Sequence, residues 1–137
     1  MLQEFPFKQM QVYQMARAAA VDADVIARSL ERHYWPVSSQ LLRASMSVML
    51  NLAEGSGEYA TREKARFYRM SRRSCYEVAA VIDHLAGTGA VTQEAASNLD
   101  RRLARVAAAL TALIRAMDAR PPKAPKAPNA PNAPNAP

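Results

Sequence analysis

The residues of this chain best suited to chemistry are a run of arginines. Arg62, Arg66, Arg69 and Arg73 recur at spacings of four, three and four. On a helix that spacing aligns them on one face. Lys64 and Arg72 flank the row and only Glu63 and Glu77 oppose it, so residues 61–77 carry six basic and two acidic groups, a net +4. A guanidinium is a planar fork that matches two phosphate oxygens, and each phosphate it neutralises releases counterions. Further along, Arg101, Arg102 and Arg105 repeat the chemistry, and Tyr68 and Tyr76 stand near enough in sequence to interleave as stacking groups. Arg62, Lys64, Arg66, Arg69, Arg72, Arg73, Arg101 and Arg105 are therefore the candidate nucleic-acid-binding residues. The competing reading is a solvated face whose charges pair, within or between subunits, with Glu63, Glu77 and Asp100.

A second stretch, Asn51-Leu-Ala-Glu-Gly-Ser-Gly-Glu58, has the look of a glycine-rich loop. Phosphate-cradling loops follow a strand and precede a helix, and this one follows a helical pattern. Neither G-x-x-x-x-G-K-[ST] nor G-x-S-x-G is present. The expectation is a helix terminus, with Gly55 at the C′ position taking up the left-handed conformation. Asn51 and Glu54 lie one turn apart and are read as structural. They tie this terminus to a neighbouring helix or subunit, or pair with Arg43 on the same stripe.

Catalysis finds little support. No second acid, base or metal ligand stands at suggestive spacing from Glu54. The single cysteine, Cys75, reads as a small core residue, and His84, nine residues on, is ~13 Å along a helix axis, beyond hydrogen-bond reach. One cysteine and two isolated histidines, His33 and His84, offer no metal site. The chain is expected to be non-enzymatic, with no cofactor and no metal.

The elements that hold these residues are legible from periodicity. Val12, Met15, Ala19, Ala23, Ile26 and Leu30 share one helical face. Leu41, Leu42, Ser45, Val48, Met49 and Leu52 make a second stripe, with Arg43, Ser47, Asn51 and Glu54 as its polar side. Phe67, Met70, Ser74, Val78, Val81 and Leu85 make the third. Leu99, Leu103, Val106, Leu110, Leu113 and Met117 make the fourth, close to a heptad seam. Breaks fall at Pro36, Gly55-Ser-Gly57, Gly87-Thr-Gly89 and Pro121-Pro122. Thr61 and Thr92 stand at N-cap positions, followed by Glu63 and Glu94. Trp35 is expected to pack across the end of the bundle or to anchor an interface. The fold class is all-α, an antiparallel up-down-up-down four-helix bundle over residues 1–119.

Residues 120–137 form a separate tail, Pro/Ala/Asn-rich, with proline at every third position from Pro122. Such a segment cannot bury apolar surface and is expected to be disordered with polyproline II character. Its basic residues inflate the charge. The chain totals +6, but residues 1–119 hold 15 Lys and Arg against 12 Asp and Glu, only +3. Any affinity for nucleic acid must come from where the charges sit. No basic start with an apolar run opens the chain, and no run approaches the ~18 apolar residues of a membrane span, so a cytoplasmic protein without a membrane partner is expected.

The stretch from Gln40 to Leu85 resembles a known family, the four-helix bundle proteins encoded in intervening sequences of bacterial 23S ribosomal RNA genes. The likeness lies in Gln40-Leu-Leu-Arg43, Asn51-Leu-Ala-Glu-Gly55, Lys64-Ala-Arg-Phe-Tyr68 and Ser74-Cys-Tyr-Glu77, preceded by Phe7 and Tyr13-Gln-Met-Ala16. Asn51, Glu54, Gly55, Ser74 and Glu77 are the family-motif positions. Leu52 replaces the usual isoleucine, and Ser56 the usual aromatic. The family is similar to the accessory variability proteins of diversity-generating retroelements. That resemblance implies a homo-oligomer, a homopentamer, which binds nucleic acid, RNA rather than DNA, and a reverse transcriptase. The alternative is a protein-binding scaffold whose arginines serve the oligomer interface.

Overall fold

Four helices, α1 (Gln11–Ser29), α2 (Trp35–Gly57), α3 (Thr61–Gly87) and α4 (Gln93–Asp118), make up most of residues 4–121, the part of the chain that the computed structural model describes. Short 3-10 turns at Pro6–Gln9 and Arg32–Tyr34 lead into α1 and α2. Each helix packs on the next and α4 closes on α1, with no close backbone approach across either diagonal. This is the expected up-down-up-down bundle. Beyond Pro121, the expected tail lies outside the described residues.

Local chemistry explains most of the boundaries. Pro36 sits in the first turn of α2, where its missing N–H is no loss. The Thr92 hydroxyl accepts from the Ala95 amide at 3.1 Å, as an N-cap should. Thr61 does not cap α3. Ala60 holds the N-cap position, and Thr61 is already helical. After α3, Gly89 takes φ +77°, while the Ala90 and Val91 amides both reach back to the Leu85 carbonyl, at 3.1 and 3.3 Å. The left-handed stop expected at Gly55 is therefore at Gly89.

Gly55 itself is buried inside α2, which continues to Gly57. A Cβ built on it would come within 2.8 Å of Phe67 Cβ and 3.0 Å of the Tyr68 ring. Its role is to let α2 and α3 approach closely.

The core is aliphatic, centred on Leu41, Val48 and Leu52 of α2, Val78, Ile82 and Leu85 of α3, and Leu99, Val106 and Leu110 of α4. Alanines 16, 19, 20, 23 and 27 form most of the buried side of α1, with Val12 and Ile26 at its ends. The α3 stripe is rotated from its expected position. Ala65, Tyr68, Ser71 and Cys75 hold the centre line of its N-terminal half, Phe67 and Val81 are half-buried, and Met70 is exposed. Because α3 is flanked by α2 and α4, both neighbours set its buried arc. The larger apolar residues cover the seam with α2, while small ones face inward. On α4, Ile114 rather than Leu113 is fully buried.

A candidate nucleic-acid interface

Arg62, Arg66, Arg69 and Arg73 all remain exposed. At ~100° per residue they span roughly 60° of arc, diametrically opposite the buried Ser71–Cys75–Val78–Ile82 line, over about 16 Å of axis. They are the outer spine of α3. Arg66 donates from Nε to Glu63 Oε2 at 3.0 Å, and its guanidinium lies 4.6 Å from the Phe67 ring centroid. Arg69 bridges to α4, with Nη2 at 2.6 Å from Asp118 Oδ2. Arg62 and Arg73 have no acidic partner among the described residues. Both ion pairs are solvent-exposed, so each is worth little and yields readily to a competing anion.

The other candidates do not join this row. Lys64 donates from Nζ to the carbonyls of Ser56 at 2.8 Å and Gly55 at 3.5 Å. It caps the C-terminus of α2, where a cation suits the helix dipole. Arg72 turns toward α4 and donates to Thr111 Oγ1 at 3.1 Å. Tyr68 is buried, 3% exposed, with its phenol pKa raised by desolvation, so it stacks on no base. Tyr76, 69% exposed, still can. Arg101 and Arg105 line a groove between α1 and α4, apart from the row.

Of the family-motif residues, Asn51, Gly55, Ser74 and Glu77 gather at the α2–α3 seam, and Glu54 does not. Asn51 donates to the carbonyl and to the hydroxyl of Ser47, each at 2.9 Å. Ser74 donates to that same Ser47 hydroxyl at 2.8 Å. Buried Ser71 donates to the Val48 carbonyl at 2.7 Å, and Gln40 donates to the Glu77 carboxylate. Neither Asn51 nor Glu54 pairs with Arg43; Glu54 is exposed, and no ion pair is formed by it among the described residues. The motif thus clamps two helices together through hydroxyls and an amide.

The model of the 23S rRNA-intervening sequence protein family matches residues 8–112. This chain belongs to that family. No curated protein matches the sequence. A crystal structure from Bacteroides thetaiotaomicron, described as a protein of unknown function from the S23 ribosomal protein family, is similar in fold. The two share 18% identity, over 76% of this chain and 98% of that one, with a TM-score of 0.73.

This 23S rRNA-intervening sequence family protein has two further features that the helix stripes did not reveal. The outer face of α2 carries exposed apolar side chains beside its polar stripe of Arg43, Ser47, Asn51 and Glu54. Trp35, Met46 and Leu50 are 70%, 46% and 52% exposed and, with Leu42, line a shallow concavity of about 640 Å³. Trp35 does not pack across the bundle end. The signal is present as Trp35, Leu42, Met46 and Leu50, spaced seven, four and four, a second apolar stripe running beside the polar one. The other feature is the α1–α4 groove, where Arg102 Nε meets Asp22 Oδ2 at 2.8 Å.

Among the described residues no three His, Cys, Asp or Glu side chains gather as a metal site, and no helix is long and apolar enough to cross a membrane. Cys75 is 2% exposed and burial pushes its thiol up to about 12, whereas His84 is exposed.

Proposed function

We propose that this family member is a non-enzymatic, oligomeric bundle of the cytoplasm that holds structured RNA on the outer spine of α3. The observation that carries this reading is the exposure of all four arginines in one row, two of them without an acidic partner among the described residues. A row of this kind contacts phosphates rather than base edges, so affinity without strong sequence preference is expected. One protomer offers few contacts. Repetition around an oligomer axis turns weak contacts into avidity. The exposed Trp35–Leu42–Met46–Leu50 stripe supports an oligomer, because apolar patches of this kind mark interfaces. A pentamer, RNA over DNA, and a retroelement reverse transcriptase as protein partner are carried by the resemblance rather than by geometry.

The test is charge reversal at the two free positions, Arg62→Glu with Arg73→Glu. Both lie on the helix exterior, so helicity should hold while salt-sensitive retention of structured RNA on a filter is lost. Undiminished retention counts against the proposal. The rival reading, a protein-binding scaffold whose arginines serve the subunit contact, is favoured if the same variant instead lowers the mass in light scattering.

A further inference from the structure

The groove between α1 and α4 belongs neither to the core nor to the α3 row. One wall is a single face of α4: Asn98, Arg101, Arg102 and Arg105, at spacings of three, one and three. The other is Asp22 and Val25 of α1. The space is about 610 Å³. Three guanidinium groups therefore face one carboxylate, and Asp22 is engaged by Arg102. Arg101 donates to the Asn98 side-chain oxygen, which holds its fork beside the groove. Arg105 has no acidic partner among the described residues.

We infer that this groove is a second anion site, which takes two phosphate groups of a polyanion on Arg101 and Arg105. Residues four apart on a helix place their side-chain roots ~5–6 Å apart, close to the separation of successive phosphates along a nucleic-acid strand and of the two end phosphates of a tripolyphosphate. Two planar forks at that distance each meet one phosphate, and the Asn98 amide offers a further N–H donor. Asp22 has a defined part in this arrangement. It neutralises Arg102, and its residual negative field weakens the site. The site stands on residues separate from the α3 row. Linked phosphates come either from a nucleic-acid strand or from free oligophosphate.

Calorimetric titration of the full chain with inorganic tripolyphosphate tests the inference. Arg101→Gln with Arg105→Gln keeps helix-forming side chains and should weaken binding about 10-fold or more. Asp22→Asn should tighten it about threefold. Arg62→Glu with Arg73→Glu should leave it unchanged. Absence of tripolyphosphate binding to the native chain, binding indifferent to the Gln pair, or binding abolished only by the α3 variant each overturns the inference. Circular dichroism on each variant separates lost binding from lost fold. Competition by a single-stranded RNA of about ten nucleotides distinguishes the source. Displacement of tripolyphosphate identifies a strand as the occupant, and its failure identifies free oligophosphate; both presuppose the groove. Because the filter assay on the α3 row reads other residues, either proposal can fail while the other stands.

Discussion

Gly55 of α2 and Phe67 of α3 approach so closely that a methyl group on the glycine would stand 2.8 Å from the Phe67 Cβ. That atom belongs to the stem of the side chain and cannot swing away. Gly55→Ala therefore forces the two helices apart. Overpacking of this kind costs ~1–3 kcal/mol, and the better helix propensity of alanine returns ~1, leaving a net loss of up to about 2 kcal/mol. Gly57 faces open space, so Gly57→Ala should be neutral or stabilising by up to ~1 kcal/mol. Urea unfolding of the pair checks both signs. A stabilised Gly55→Ala would show that the contact relaxes without cost.

The Cys75 thiol gives a pH dependence. Its ordinary value of 9.0 is raised to about 12 by burial. Between those values the unfolded chain has lost this proton and the native chain retains it, so the native state binds more protons and stability falls as pH rises from 9 to 12. Tyr68, also raised by burial, acts in the same direction. Cys75→Ala should flatten part of this alkaline decline relative to the native chain. At pH 8 the native thiol should resist a thiol-reactive dye until denaturant is added. Rapid labelling of the folded protein would contradict its burial.

Arg69 and Asp118 join α3 to the end of α4 at 2.6 Å, with both side chains about half exposed. A double-mutant cycle with Arg69→Ala and Asp118→Ala should give a coupling of only ~0.2–1 kcal/mol, shrinking with added salt. A larger, salt-insensitive coupling would mean that this pair holds the bundle together, and that Arg69 is not available to a phosphate.

For the α3 row, the salt dependence of RNA affinity counts the contacts. Each phosphate contact removed should lower the slope of log affinity against log salt by ~0.7–0.9. Arg62→Gln and Arg73→Gln should each lower it by one such step. Identical slopes would show that these arginines touch no phosphate.

The α2 stripe is tested by Met46→Glu with Leu50→Glu. Both positions are about half exposed, so the isolated bundle should keep its helicity. Light scattering should report a smaller particle than for the native chain. An unchanged mass would place the subunit contact elsewhere.

Periodicity located all four helices to within a few residues, because a helix that buries one side repeats its apolar residues at a fixed spacing whatever it packs against. The same rule puts Arg62, Arg66, Arg69 and Arg73 on a common face. On α3 the buried face lies further from α2 than the Phe67–Met70 spacing implies. Phe67 and Met70 are large and apolar, and only the positions of two neighbouring helices decide that Ala65 and Ser71 face the centre instead.

Other features depended on tertiary structure alone. Gly55 in sequence is a stop signal, and its meaning changes when Phe67 arrives from twelve residues away. Lys64 belongs to a basic run by order and to the end of α2 by position. Arg102 finds Asp22 only once α4 lies beside α1. The sequence by itself determined which side of each helix avoids water, since that is a property of one helix and solvent. How the helices rotate, approach and share their polar groups is a property of pairs. Contacts between residues distant in the chain decide it, and no local spacing encodes them.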